Sequence, residues 1–125
     1  MLLQLRLHGQ QLLQVARIRP LFEGFPAAMS WLPLHGLSLF RIAQEALTNA
    51  AKHSSAKKVV VGLEEKGGEL VLSVTDDGKG FDPANAPRGR WGMTTMRERA
   101  EAAGGRLSVD SSLGKGTTVR AAVPL

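Results

Sequence analysis

The spacing of hydrophobic residues predicts two amphipathic α-helices. From Gly36 to His53 apolar residues recur every three or four positions, as one buried face of a helix requires, at Leu39, Phe40, Ile42, Ala43, Ala46, Leu47 and Ala50. A second helix is predicted from Gly92 to Ala103, with Met93, Met96, Ala100 and Ala103 on one side. Gly104 and Gly105 provide its C-terminal stop.

Four other segments alternate between apolar and polar residues and are rich in Val and Leu, which predicts strands at 57–64, 69–76, 106–111 and 117–123. The first two are separated by Glu-Lys-Gly-Gly and the last two by Leu-Gly-Lys-Gly, so each pair predicts a hairpin. The apolar residues of 1–17 fit neither the helical nor the strand period, so the pattern there does not decide between an amphipathic helix and two short strands. Arg17–Gly24 is predicted to be a short edge strand, because Pro20 cannot donate to a ladder. Residues 25–35 are predicted to be a connection.

The order of these elements predicts an α+β fold. Helices laid on one face of a mixed, mostly antiparallel sheet form a two-layer α/β sandwich. The chain has 125 residues, which fits a single domain over 1–125. The stretch from Asp77 to Trp91 is rich in Gly and Pro, and a loop of this length in a compact domain is usually functional or mobile.

Composition excludes several classes of protein. Cysteine is absent, which excludes a disulfide framework, a thiolate zinc site and a cysteine nucleophile. The net charge is +5, but Lys and Arg form no contiguous block and aromatic residues make up only 5%, which is a poor match for nucleic-acid binding. No apolar run reaches the length of a membrane span, and no signal-peptide cleavage site follows the N-terminal run. A cytoplasmic location is expected, including that of the cytoplasmic part of a membrane-bound receptor.

Polar residues on the first helix form a candidate site. Glu45, Asn49 and His53 are four residues apart, so they project from one stripe about 80° wide. A carboxylate and an amide on one face suit Mg²⁺, which needs only one or two protein oxygens besides water and phosphate. The alternative is a solvated helix face.

Three glycine-containing motifs follow. Asp-Asp-Gly-Lys-Gly at 76–80 ends a strand, where an aspartate would accept a hydrogen bond from an exocyclic amine, and its glycines would let backbone approach a planar ligand. Gly-Arg-Trp-Gly at 89–92 precedes a helix N-terminus, which favours an anion. Gly-Lys-Gly-Thr at 114–117 joins two strands. Taken singly, these motifs are also typical of a turn, a glycine N-cap and a hairpin.

In this order, the four motifs resemble the Bergerat-fold (GHKL) ATPase superfamily. Within it, the sequence is similar to the ATP-binding catalytic domain of bacterial sensor histidine kinases, and most similar to the nitrate-sensor-type subgroup. The resemblance covers residues 39–125 and rests on LFRIAQEALTNAAKHS, VTDDGKGFD and the stretch from Gly89 to Leu125. It implies ATP and Mg²⁺ as the bound cofactors.

The resemblance assigns roles to residues of the first helix. Asn49 matches the Mg²⁺-binding asparagine of the family's N box, and Glu45 matches the residue proposed to polarise the attacking group or a metal-bound water. Lys52 and His53 match basic positions near the phosphates.

The glycine motifs receive roles in the same way. Asp76 matches the aspartate that accepts from adenine N6, and Gly78 and Gly80 form the wall beside the base. Gly92 and Met93 match the second glycine box, at the end of a lid over the triphosphate. Gly114, Gly116 and Thr117 match the last glycine box, beside adenine. Two positions depart from the family pattern, since Arg90 and Thr95 stand where glycines are frequent.

The implied function is transfer of the γ-phosphoryl group of ATP to a histidine. Residues 1–35 are too short for the family's histidine-bearing dimerisation hairpin, and His8 and His35 lie in no acceptor motif. The acceptor would therefore be a domain of the same or a partner kinase, with a response regulator downstream, and the isolated domain is expected to be a monomer. The alternatives are a non-enzymatic nucleotide-binding regulatory module and an anti-sigma-type serine kinase of the same fold.

Overall fold

The structure, a computed structural model, describes residues 2–13, 18, 19, 22, 35–82 and 92–124. Within them the regular elements follow one another in this order: β1 (Leu2–His8), a 3-10 helix η1 (Gly9–Leu13), α1 (His35–Lys52), β2 (Lys58–Lys66), β3 (Glu69–Asp76), α2 (Met93–Ala102), β4 (Arg106–Ser111) and β5 (Thr117–Pro124). Both helices and the four predicted strands lie within two residues of the bounds that the sequence pattern gives.

The described strands form one sheet in the order β1-β2-β3-β5-β4. Each neighbouring pair is antiparallel, so the expectation of a mixed sheet is wrong for these strands. For two of the four pairs the physical reason is that β2–β3 and β4–β5 are hairpins, whose short turns permit only antiparallel pairing. The β2–β3 turn is Gly67–Gly68, with φ of +58° and +77°, as a two-residue hairpin turn with positive φ at both positions requires.

The register gives the sheet one apolar and one mainly polar face. One row across all five strands contains apolar side chains only: Leu5, Val61, Val74, Val119 and Val109. The next row points to the opposite face and is mostly polar: Arg6, Val60, Thr75, Thr118 and Asp110. A side-chain period of two therefore directs one side of the sheet to the core.

The two helices cover the apolar face. The apolar stripe of α1 is fully or almost fully buried, at Leu39, Ile42, Ala43, Ala46, Leu47 and Ala50. This helix contacts β2, β3 and β5, while α2 contacts α1, β4 and β5. The predicted α+β fold of two layers is thereby confirmed. Amphipathic helices of this length gain most of their stability from burying their apolar stripe, which explains why both helices lie on this face.

The N-terminal segment differs from its prediction. Residues 2–8 form one edge strand beside β2 and residues 9–13 a 3-10 helix, so at the described positions neither an amphipathic α-helix nor a pair of strands is found. The edge strand predicted over Arg17–Gly24 is wrong at the described positions, since Ile18, Arg19 and Phe22 are helical. Ile18 and Phe22 are four residues apart and buried, and the Phe22 ring packs edge-on against Phe40 with centroids 5.3 Å apart. Helical spacing, rather than alternation, therefore decides this segment.

Two predicted loops fall partly or wholly outside the described residues. These are residues 25–34 of the connection predicted over 25–35, whose last residue begins α1, and residues 83–91 of the long stretch after β3. In the part of the chain that is described, no helix combines the length and apolar character that crossing a membrane requires.

Candidate functional site

Side chains from six separate segments meet in one cavity where β3 ends and β5 begins. It is lined by Ala46, Asn49, Ser54, Val74, Asp76, Phe81, Met93, Thr117 and Val119. Its volume of about 20 Å³ is room for one water molecule. Four residues singled out in the sequence (Asn49, Asp76, Met93 and Thr117) are thereby brought together although they span 69 positions of the chain.

Asp76 is the buried carboxylate of this cavity. It is the last residue of β3, lies opposite Thr117 on β5 and is 9% exposed. The Gly78 N–H donates to Asp76 Oδ1 at 2.8 Å. Burial raises the pKa of this carboxyl above its ordinary value, as does the charge of Asp77, while the backbone N–H groups of Gly78 and Thr117 oppose the shift.

The neighbouring Asp77 has the opposite environment. Its exposed side chain accepts from the Lys57 N–H at 2.8 Å and the Lys58 N–H at 3.0 Å. Hydrogen bonding from the Lys58 N–H, with a smaller contribution from Lys57, lowers the pKa of Asp77. Asp77 therefore ties the loop to the start of β2, and only Asp76 faces the cavity.

Gly78 and Gly80 are close to the protein's own main chain. A Cβ on Gly78 would lie 2.5 Å from Ser54 O, and one on Gly80 would contact Ser112 O. Gly80 also has a φ of +63°. The sequence motif predicts that these glycines admit a planar ligand, whereas the contacts show that packing of the loop against two backbone segments requires them.

The β4–β5 turn approaches Asp76 from the other side. Gly116 has a φ of +77°, and a Cβ there would contact the backbone of Asp76, with Asp76 C at 3.2 Å. Gly114 is exposed, and its N–H donates to Lys79 O at 2.7 Å. Gly116 thus lies directly beside the cavity, while Gly114 fastens the turn to the loop after β3.

Ser111, which the sequence analysis missed, connects these segments. Its Oγ accepts from the Phe81 N–H at 2.9 Å, lies 3.1 Å from Gly116 O and lies 2.8 Å from Thr117 Oγ1. The signal was present in the sequence, because strands predicted to end at 111 and to begin at 117 place these two residues opposite one another. Ser54 was also missed as a lining residue, although its carbonyl accepts from the Lys79 N–H at 2.8 Å.

Glu45 lies at the junction of the two helices. It is half-buried, and a Cβ on Gly92 would contact its carboxylate, with Glu45 Cδ at 2.6 Å. Gly92 is the N-cap of α2 with a φ of +68°. The N-terminal N–H groups of a helix carry a partial positive charge, so the Glu45 carboxylate lies where it is electrostatically favoured.

Lys52 and His53 are outside the cavity. Both side chains are exposed at the C-terminal end of α1. The N–H groups of His53 and Ser54 both donate to Asn49 O, at 2.9 and 3.0 Å, and so close the last turn of α1, which ends at Lys52. The described residues contain no cluster of three or more His, Asp or Glu side chains that would hold a metal ion by themselves. Gly89, Arg90 and Trp91 lie outside the described residues.

The family described as "Histidine kinase-, DNA gyrase B-, and HSP90-like ATPase" matches residues 35–125. The chain belongs to this ATPase family. Membership implies that the chain binds ATP, and it confirms the superfamily resemblance drawn from the sequence motifs. The matched region begins at the first residue of α1 and so contains every residue of the cavity.

Curated relatives of this ATPase domain include two proteins from Bacillus subtilis (strain 168). The chain is 46% identical over 87 residues to the sensor histidine kinase LiaS, which covers 70% of this chain and 24% of LiaS. It is 38% identical over 96 residues to the signal transduction histidine-protein kinase/phosphatase DegS, which covers 74% of this chain and 25% of DegS. The chain therefore spans about a quarter of the length of the curated relatives it matches.

Solved structures give the same family. The histidine kinase domain from the Erythrobacter litoralis EL346 blue-light activated histidine kinase has a TM-score of 0.57 and 32% identity, covering 70% of this chain and 43% of that one. The mycobacterial sensor histidine kinase MprB has a TM-score of 0.57 and 26% identity, covering 71% of each chain. The resemblance to histidine kinases is thus confirmed, while the nitrate-sensor-type subgroup stays a prediction.

Proposed function

We propose that this chain is the catalytic domain of a two-component sensor histidine kinase, which binds Mg-ATP and transfers the γ-phosphoryl group to a histidine on a separate domain. The observation that carries the proposal is the cavity that joins Asn49, Asp76, Met93 and Thr117 in a member of this ATPase family. The sensor histidine kinases among its relatives support the acceptor class.

Asp76 would recognise the base. Its carboxylate accepts a hydrogen bond from the exocyclic amine of adenine, and the Gly78 N–H fixes its orientation beforehand. Because the carboxylate is buried, this charge-assisted hydrogen bond forms in a low dielectric, where it is stronger than in water.

Asn49 would bind Mg²⁺ together with the phosphates. Its amide is a hard oxygen donor on the wall of the cavity, one helical turn after Glu45. This donor set fits the ion, because Mg²⁺ needs only one or two protein oxygens when phosphate and water complete its coordination. When bound, Mg²⁺ would neutralise the charge of the phosphates.

Glu45 would assist the acceptor. In the transfer, the bond from the γ-phosphorus to the bridging oxygen of ADP breaks, a bond to the imidazole nitrogen forms, and the imidazole loses its proton. A carboxylate at the junction of α1 and α2 is suited to orient that imidazole and take the proton. Phosphoryl transfer otherwise depends on positioning and charge neutralisation, which the remaining residues supply. Lys52, His53 and the later glycines complete the proposed nucleotide-binding set, with the chain acting as a cytoplasmic monomer upstream of a response regulator.

Calorimetric titration of ATP with and without Mg²⁺ tests the binding step. We expect Asn49→Ala to lose the Mg²⁺-dependent gain in affinity, because it removes the oxygen donor. Gln44→Ala is the matched control, because it removes the other half-buried amide of this part of α1 at a residue that does not line the cavity. Equal Mg²⁺ dependence in wild type and Asn49→Ala would contradict the proposed metal ligand, and absence of ATP binding would contradict the proposed function.

Transfer is tested by supplying a histidine-bearing helical hairpin and labelled ATP. The expected product is an acid-labile phosphohistidine that forms with wild type and is lost with Glu45→Gln. ATP binding without transfer would favour the regulatory-module alternative, and an acid-stable phosphoserine would favour a serine kinase.

A further inference from the structure

Two of the chain's four methionines lie in the described residues, three positions apart on α2. Met96 is fully buried in the hydrophobic core. Met93 is half-buried, packs against the edge of that core and lines the cavity. Met93 therefore combines partial exposure with a place in the wall of the candidate site, whereas Met96 has neither.

Partial exposure makes the thioether of Met93 open to oxidation by hydrogen peroxide. The sulfur lone pair forms a bond to one peroxide oxygen while the O–O bond breaks, and the other oxygen leaves as water with both peroxide protons. Sulfur loses two electrons and peroxide gains them, so the step needs no further reactant. The product is methionine sulfoxide. Because oxidation requires access to the sulfur, Met93 should react well before Met96.

The sulfoxide would change the wall that Met93 forms. Four apolar residues line the cavity beside it: Ala46, Val74, Phe81 and Val119. A thioether packs among such side chains as an apolar group, whereas a sulfoxide is polar. The cavity volume of about 20 Å³ is room for one water molecule, so the added oxygen atom would compete with a ligand for that space. A ligand that closed the cavity would also bury the new dipole against the apolar wall.

We propose that Met93 is a reversible oxidation site: peroxide converts its thioether to the sulfoxide, and the sulfoxide weakens nucleotide binding at the cavity. The inference rests on the proposed function of the cavity. Methionine sulfoxide reductases return the sulfoxide to the thioether, so they restore binding. The domain therefore binds less ATP under oxidising conditions and recovers when they end.

Peptide mass spectrometry after timed peroxide treatment measures the modification. We expect Met93 to be oxidised much faster than Met96, while far-UV circular dichroism shows that the fold stays intact. Bound ATP should slow the oxidation of Met93, and free methionine added to the same sample reports any loss of peroxide itself. If Met93 reacted no faster than Met96 in the folded protein, the inference would be overturned.

Calorimetric titration of ATP before and after peroxide treatment measures the consequence. Oxidised wild type should bind ATP about five- to a hundredfold more weakly, which is the effect of burying one polar group without a partner. Treatment with methionine sulfoxide reductases and a dithiol should reverse the loss. Met93→Leu cannot form the sulfoxide, so peroxide should not change its affinity, whatever the starting value. Met96→Leu is the matched control and should lose affinity on oxidation as wild type does.

Damage at another residue predicts something different. Wild type and Met93→Leu would then lose affinity by the same factor, which overturns the inference while ATP binding by the untreated protein upholds the proposed function. Unchanged affinity in wild type whose Met93 is fully oxidised also overturns the inference. Absence of ATP binding in untreated wild type overturns both. If Met93→Leu does not fold, Met93→Ile removes the sulfur in the same way and replaces it in the comparison.

Discussion

The two walls of the candidate site are built differently. The strand-end wall consists of Asp76, Gly78, Ser111, Gly116 and Thr117, where the side chains of Asp76 and Thr117 are buried and backbone N–H groups fix the carboxylate. The helix wall consists of Asn49, which lines the cavity, and of Glu45, Gly92, Lys52 and His53, which lie beyond it. The side chains of Glu45 and Asn49 are half-buried, and those of Lys52 and His53 are exposed.

The difference indicates a division of tasks under the proposed function. Every charged or polar group of the strand-end wall has its orientation fixed before a ligand arrives, which lowers the entropic cost of binding the base. The helix wall leaves carboxylate, amide and cationic groups near solvent, where phosphates and a metal ion would complete their coordination. Substitutions in the strand-end wall should therefore change the stability of the fold and the affinity for the base. Substitutions in the helix wall should change the affinity only for ligands that carry phosphates or a bound Mg²⁺.

The largest effect is expected from Gly116→Ala. Both Gly116 and Gly114 have positive φ, +77° and +78°, so alanine costs each about 1–2 kcal/mol of conformational free energy. At Gly116 the new methyl group also meets the backbone of Asp76, which adds about 1–3 kcal/mol. Urea unfolding of both variants measures the difference, and Gly116→Ala should also weaken ATP binding.

Gly114→Ala is the matched control for this prediction. No described atom lies within 4 Å of a Cβ at Gly114, so only the backbone cost remains. Equal destabilisation by the two variants would show that the turn and Asp76 are not in close contact, and the strand-end wall would then be less rigid than the structure indicates.

Asp76→Asn should lower ATP affinity by about 10- to 100-fold. Hydrogen bonds to charged groups contribute about 1.5–3 kcal/mol, and each 1.4 kcal/mol is tenfold in affinity. The Gly78 N–H holds the asparagine oxygen, so the new NH₂ group is directed at the amine of adenine. Calorimetric titration checks this, with Asp77→Asn as the control of identical chemistry at an exposed carboxylate. A comparable loss in Asp77→Asn would contradict the separation of the two aspartates.

The sequence predicts the frame of the site better than its contacts. Helical and alternating periods locate α1 and both hairpins, because burial of one face imposes those periods. The same reasoning fails at Ile18 and Phe22, where four-residue spacing outweighs the edge-strand interpretation.

Tertiary contacts explain what the motifs alone do not reveal. That Gly78 packs on Ser54, and that Ser111 bonds Phe81, Gly116 and Thr117, depends on which segments the sheet brings together. A match to a family motif also does not by itself place a residue in the cavity, since Lys52 and Gly114 both match the family pattern and lie outside it.

Replacing the two aspartates should change the stability of the fold with opposite signs at neutral pH, which tests the difference between their environments. The pKa of Asp76 is raised above 3.8 in the folded protein, so ionising it destabilises the fold. Asp76→Asn should therefore be more stable than wild type at neutral pH, and this gain should disappear as pH falls to 3.8.

The sign reverses at Asp77. Its pKa is lowered on folding, so its ionised form stabilises the fold above 3.8, and that stabilisation is lost as pH falls through the lowered value. Asp77→Asn should be less stable than wild type at neutral pH, with the difference vanishing in acid. Urea unfolding from pH 3 to 7 measures both curves. Parallel curves would show that the two carboxylates do not differ in environment.

The smallest effect is expected on the helix wall, from Lys52→Ala. An exposed ammonium near a phosphate contributes about 0.2–1 kcal/mol, so ATP affinity should fall by less than about fivefold, and less still at high salt. Adenosine, which has no phosphate, should bind both proteins equally. Lys66→Ala removes an equally exposed ammonium at the far end of β2 and should leave both affinities unchanged. If Lys52→Ala weakened adenosine as well, Lys52 would act on the strand-end wall, and the division between the two walls would not hold.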